Sequence, residues 1–271
     1  MSQTVIENPV INSPFTEPGR HFRFTDEGIT DEIIEERRSS SYFIPIARPK
    51  KKGKQLAFDT DWTQDRIEEN RFVNRVRERV RQWRLGGYVG TTATTRHLLE
   101  YWNDEERERR LFFCQIEALE TAIYITEVAG KYGDVWIENT LREANDSSNP
   151  GLPRMAFKMA TGSGKTVVMA MLIAWQTLNK LANPQDARFT DTFLLITPGI
   201  TIRDRLRVLL PNDPENYYRQ RDIVSPELLD RLQQARIIIS NFHAFQLREK
   251  IAAGKLTKSI LADGNARAFT E

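Results

Sequence analysis

Ala160-Thr161-Gly162-Ser163-Gly164-Lys165-Thr166 is the stretch around which the rest of the chain arranges itself. Met155–Met159, just before it, is short and apolar and reads as a buried strand. Val167 to Trp175, just after it, is apolar almost all round, so a helix from Lys165 to about Asn179 is expected to be buried. Strand, glycine-containing loop and helix in that order form the setting in which such a loop cradles phosphate. Gly162 and Gly164 let the backbone turn tightly and bring N–H groups against phosphate oxygens. The helix N-terminus adds positive partial charge. Lys165 is placed to reach the β- and γ-phosphates, and the Thr166 hydroxyl to hold the Mg²⁺ that bridges them. The expected cofactors are therefore ATP and Mg²⁺, with Thr161, Gly162, Ser163, Gly164, Lys165 and Thr166 as the binding residues. The general pattern opens on Gly, and this chain has Ala160 there.

Outward from the loop, Thr192–Thr197 and Ala235–Ser240 are further short apolar runs separated by helical stretches. That alternation predicts an α/β fold with a parallel sheet. Upstream, Val73, Val76, Val80 and Trp83 fall on one stripe of a helix predicted over 62–84, capped by Asp61 or Thr63 and ended by Gly86-Gly87. Its other faces carry seven arginines from Arg66 to Arg84 against three glutamates. They read either as a solvated face or as a surface whose guanidinium forks meet backbone phosphates. Further helices are expected over 94–110 and 111–129. Residues 1–60 are punctuated by proline yet keep recurring aromatics, which predicts an extended arm with short strands at Phe22–Phe24 and Ser41–Ile46. The divisions are thus an arm over 1–60, a helical region over 61–150 and a nucleotide-binding domain over 151–271.

The 271 residues carry a net charge of +2 and a sequence pI of about 8.6, too mild an excess to signal nucleic acid by itself. A single cysteine, Cys114, rules out a disulfide framework within the chain and reads as a small core residue. Three widely spaced histidines make no zinc pattern. The N-terminus has no basic and apolar leader, and no apolar run approaches the ~20 residues of a membrane span. These features point to a cytoplasmic protein with no membrane partner.

Met159 to Thr166 resembles motif I of superfamily 2 helicases, whose loop commonly starts with Ala. Leu111-Phe112-Phe113-Cys114-Gln115-Ile116-Glu117-Ala118 resembles the glutamine motif of that superfamily. The resemblance implies that Gln115 reads the adenine edge, as one amide that both accepts and donates, with Phe112 or Phe113 near the base. The plainer alternative is a glutamine that caps a backbone group. Pro198-Gly199-Ile200-Thr201-Ile202-Arg203-Asp204-Arg205-Leu206 is similar to motif Ia, which meets the nucleic-acid backbone. There Thr201 would cap the helix, and Arg203 or Arg205 would add charge. Ser240-Asn241-Phe242-His243-Ala244-Phe245 resembles a later nucleic-acid-contacting motif, with His243 structural or backbone-contacting. Together these stretches resemble the Res subunit of type III restriction enzymes and related DEAD/DEAH-box proteins.

The resemblance implies an incomplete RecA-like P-loop domain, in the N-terminal part of an ATP-driven motor on double-stranded DNA. It would serve restriction or phage defence, with a modification methyltransferase subunit as a possible partner. Pro198, Gly199, Thr201, Arg203, Arg205, Asn241 and His243 would then face nucleic acid. An acidic Asp-Glu pair on a later strand, an arginine finger and a nuclease domain would complete hydrolysis and cleavage, and no Asp-Glu pair follows Thr166. Asp31-Glu32 and Asp104-Glu105 precede the loop and follow no buried strand. The expectation is a truncated chain with an exposed sheet edge that binds nucleotide without turning it over. A non-catalytic nucleotide-, DNA- or partner-binding module is the alternative, and a small-molecule kinase a more distant one.

Overall fold

The computed structural model describes residues 6–25, 28–44 and 66–245. The chain divides into two compact units: 1–193 with 208–236, and 194–207 with 237–271.

In the first unit, β1 (His21–Thr25) and β2 (Gly28–Ile34) form an antiparallel hairpin, and β3 (Ser41–Ile44) pairs antiparallel with β4 (Arg66–Glu69). Helix α1 covers Arg71–Leu85. It starts later than the acidic residues around 68 suggest, because Arg66–Glu69 is drawn into the ladder with Ser41–Ile44 and only Asn70 is left to cap. The Asn70 side chain accepts from the Val73 N–H, while Asp61 and Thr63 lie outside the described residues, as do Pro45 and Ile46. The stripe is as read: Val76, Val80 and Trp83 are buried.

Helix α2 (Ala93–Asn103) is capped by Thr92, whose hydroxyl accepts from the Thr95 N–H. It stops well before residue 110. Asp104 is extended there, and Arg107 turns inward to donate to the Tyr101 and Asp222 carbonyls instead of continuing a charged helical face. Helix α3 (Phe113–Ile123) runs into a single π turn, Tyr124–Val128, and α4 covers Val135–Ser148.

Helix α5 (Lys165–Ala182) is the centre of the unit, packed against α2, α3 and the short helices α7 (Tyr217–Gln220) and α8 (Pro226–Leu232). Leu98, Leu99, Leu119, Ile123, Met171 and Leu178 are fully buried around it. Burying a side chain of that size stabilises by roughly 1.5–3 kcal/mol. This is why the helix after the loop must be apolar nearly all round.

The expected strand over Met155–Met159 does not form. The segment is extended, its side chains are mostly exposed, and no ladder partner for it exists among the described residues. A strand needs at least one hydrogen-bonded neighbour, and apolar composition alone supplies none. The other two expected strands are present as β5 (Thr192–Thr197) and β6 (Arg236–Asn241), which pair in a parallel two-stranded sheet. The Arg236 N–H donates to the Asp191 carbonyl at one end. At the other end Thr197 Oγ1 lies 3.4 Å from the Ser240 carbonyl oxygen.

The second unit holds most of β5 and β6 with α6 (Ile200–Arg205). Leu194, Ile196 and Ile238 are more than half exposed, so one face of this sheet is apolar and open. Among the described residues no helix is long and apolar enough to cross a membrane.

Candidate nucleotide-binding site

The loop before α5 has the backbone its glycines are needed for. Gly162 and Gly164 both have φ near +80°, the left-handed region that a side chain disfavours. Gly164 is the residue preceding the helix, and its carbonyl accepts from the N–H groups of Val167 and Val168. Among the described residues, the N–H groups of Gly162, Gly164, Lys165 and Thr166 find no protein acceptor. Four donors therefore converge at the start of an 18-residue helix, which is the chemistry a polyphosphate requires.

Ala160 gathers the loop. Its carbonyl oxygen accepts from Lys165 Nζ at 2.8 Å and from Ser163 Oγ at 2.7 Å. Lys165 is exposed, so its ammonium can leave that carbonyl for a phosphate oxygen at little cost. Thr166 is half-buried in the first turn of α5, and its hydroxyl is the group of this turn that could hold Mg²⁺. Among the described residues no cluster of three or more His, Cys, Asp or Glu could bind a metal by itself.

Gln115 sits in the first turn of α3 and is buried. Its Oε1 accepts from the Phe112 N–H at 3.0 Å, and its Nε2 donates to the Ser163 carbonyl at 3.0 Å. The side chain is therefore a strut between α3 and the phosphate loop, and both ends of its amide are engaged. Cys114, next to it, is exposed and is no core residue; partial burial nonetheless raises its thiol above the ordinary value. Beside the loop lies a cavity of about 470 Å³ lined by Phe72, Val76, Arg77, Cys114, Phe157 and Ser163 among others. Burial lowers the Arg77 guanidinium from its usual value, partly against the Glu117 charge.

Of the α1 arginines, Arg71, Arg75, Arg79 and Arg81 are exposed, as a solvated face requires, while Arg77 and Arg84 are half-buried. Arg84 donates to both oxygens of Glu120, whose side chain is wholly buried, and to Glu17. Arg79 pairs with Asp134, and Arg75 stacks over the Trp136 ring. Arg37 makes a two-pronged contact with Glu117, 2.7 Å on each arm. These partners are 36 to 80 residues away in the chain, and no local pattern announces them.

In the second unit, Thr197 is buried at the end of β5, and its hydroxyl donates to the Gly199 carbonyl. Pro198 and Gly199 make the turn into α6, where Gly199 precedes the helix and its carbonyl accepts from the Arg203 N–H. Thr201 lies inside α6 and does not cap it, since the extended conformation needed at a cap falls on Gly199. Arg203 is half-buried and paired with Asp204, whereas Arg205 is exposed. Asn241 Oδ1 accepts from the Ala244 N–H and so closes the 3-10 turn Phe242–Phe245 that presents an exposed His243.

The family model of the type III restriction enzyme res subunit matches residues 110–263, more than half of the chain and all of the loop. The chain belongs to the type III restriction enzyme res subunit family. Membership makes this stretch a helicase-like superfamily 2 module of the ATP-binding kind, in a family that typically uses ATP with Mg²⁺. No curated protein and no solved structure matches the chain.

Proposed function

We propose that this chain is the ATP- and DNA-binding part of a superfamily 2 DNA translocase in restriction or phage defence. In this reading ATP is held by Thr161 to Thr166, with Lys165 on the β- and γ-phosphates and Thr166 on Mg²⁺. The metal supplies charge neutralisation between those phosphates. The single observation that carries the reading is the set of unpaired N–H groups at Gly162, Gly164, Lys165 and Thr166 beside an exposed lysine. Gln115 would read adenine by exchanging the Ser163 carbonyl for the base. Pro198, Gly199, Thr201, Arg203, Arg205, Asn241 and His243 would meet double-stranded DNA. The cytoplasm is the proposed setting and a modification methyltransferase subunit the proposed partner.

Calorimetric titration with MgATP tests this. Lys165→Ala is expected to weaken binding about tenfold to a hundredfold, the range for a lost charge-assisted hydrogen bond. Equal affinity of the variant and the unaltered chain would end the assignment of the loop.

A second reading is nucleotide binding without turnover. Phosphate release with and without DNA separates the two. Turnover that Lys165→Ala abolishes would exclude the binding-only module.

A further inference from the structure

Helix α3 is held at its start from the far side by the N-terminal arm. The Phe113 N–H donates to the Pro14 carbonyl at 2.8 Å. Phe15 packs on Phe112, ring centroids 5.7 Å apart. Two guanidinium groups stack on the Phe113 ring, Arg37 at 5.5 Å and Arg84 at 4.9 Å from its centroid. A row of alternating charge runs beneath it: Glu117, Arg37, Glu17, Arg84, Glu120. Glu117 and Glu120 are one turn apart on α3, while Glu17 and Arg37 belong to the arm. Phe112 and Phe113 lie three and two residues before Gln115, which reaches the Ser163 carbonyl in the phosphate loop.

We propose that Arg37 is a positioning residue for the nucleotide site, fixing α3 through Glu117 and Phe113 so that Gln115 stands beside the phosphate loop, within reach of the nucleotide. This rests on the nucleotide-binding reading above. The arm does not touch nucleotide; it sets where Gln115 stands. Arg37 suits the task because its planar fork takes both oxygens of Glu117 at once, which fixes direction as well as distance. Burial works against its charge, yet Glu117 and Glu17 outweigh that and raise it above the usual arginine value. Coupling is reciprocal, so nucleotide in the loop must in turn tighten the arm on α3.

The test compares the 271-residue chain with Arg37→Ala, Arg37→Lys and Arg20→Ala. Arg20 pairs with Glu35 on the solvent side of the arm and serves as the control. MgATP affinity is measured calorimetrically well below each melting temperature, together with hydrogen exchange at the Phe113 amide. Arg37→Ala is expected to bind about tenfold more weakly, within the usual range of coupling between sites. Arg37→Lys should fall between, because an ammonium cannot reproduce the fork, and Arg20→Ala should match the unaltered chain. Saturating MgATP should slow Phe113 exchange in the unaltered chain and not in Arg37→Ala. A purely structural role would lower the melting temperature and leave both readouts alone, which would overturn the proposal. If Arg37→Ala fails to fold, Arg37→Lys decides: unchanged affinity and unchanged Phe113 protection overturn it. No MgATP binding by the unaltered chain would remove the nucleotide reading itself, and this proposal with it.

Discussion

Gly164 and Gln115 share one space: the position that a Cβ on Gly164 would occupy is already filled by the Gln115 amide nitrogen. That amide is there because it donates to the Ser163 carbonyl, 48 residues further along the chain. The loop glycine is thus required twice, once for its φ of +80° and once for the close approach of α3. Gly162 has the same φ and nothing within 4 Å of its would-be Cβ.

The two glycines should therefore respond differently to alanine. Gly162→Ala carries only the left-handed backbone cost, about 1–2 kcal/mol. Gly164→Ala adds displacement of Gln115, a further ~1–3 kcal/mol. Urea denaturation of both variants measures the gap. Adding Gln115→Ala should shrink the cost of Gly164→Ala while leaving that of Gly162→Ala unchanged. Equal costs in both backgrounds would mean that the contact carries no energy.

What could be read ahead was what local pattern determines. The loop, the apolar α5, the strands over 192–197 and 236–241 and the buried stripe of α1 all follow from short-range periodicity and turn chemistry. Met155–Met159 has the same apolar character and forms no strand, because a ladder is decided by neighbours that its own residues do not encode. The start of α1 was missed for the converse reason: Arg66–Glu69 found a distant strand partner in Ser41–Ile44. Gln115 forms the backbone cap that the plainer sequence reading allows, on the Phe112 N–H, but no local pattern announces its contact with Ser163. The ion pairs of Arg37 and Arg84 have no local signal, because Glu17, Glu117 and Glu120 look like ordinary surface acids until the arm and α3 are brought together.

Arg84→Ala should destabilise the fold by about 3–5 kcal/mol, since it strands the wholly buried Glu120 carboxylate without its cation. Tyr88, whose hydroxyl is 2.5 Å from Glu120, cannot replace the charge. Arg81→Ala, on the same helix, should stay within about 0.5 kcal/mol, because Arg81 is half exposed and 3.6 Å from Glu17. Chemical denaturation of both variants checks the contrast. Similar small costs would place Arg84 with the exposed arginines of the solvated face.

Glu127 is a buried carboxylate at the π turn, reached by three neutral donors: the Thr92 N–H, the Thr95 hydroxyl and the Trp175 indole N–H. It joins α2 to α5, and Asn179 extends the network through Thr95 and Thr92. Glu127→Ala leaves the Thr92 N–H and the Thr95 hydroxyl without an acceptor, at about 1–3 kcal/mol for each one stranded, while the Trp175 indole N–H keeps Thr95 Oγ1 at 3.1 Å. Glu127→Gln keeps one acceptor oxygen and should cost less. Melting curves rank the two, and an Ala variant as stable as Gln would show that water or rearrangement satisfies the donors.

Asp134 makes the acid limb of stability testable. Burial works to raise its pKa, but the Tyr124 hydroxyl and Trp136 indole N–H, aided by Arg79 and Arg75, outweigh that and hold it below the ordinary carboxylate value. In the unfolded chain the group returns to about 3.9. The unfolded state therefore binds the proton first, and stability must fall as pH drops from about 5 through the unfolded value and on through the lower folded one. Above that window the contribution is fully present. Asp134→Asn cannot accept at both positions, because its NH₂ would face either the Tyr124 hydroxyl or the Trp136 N–H. The variant should be less stable than the unaltered chain at pH 7, with the difference shrinking as pH falls below 4. Urea denaturation in steps from pH 7 to pH 3 measures this, and a difference that stays constant across the range would remove Asp134 from the acid response.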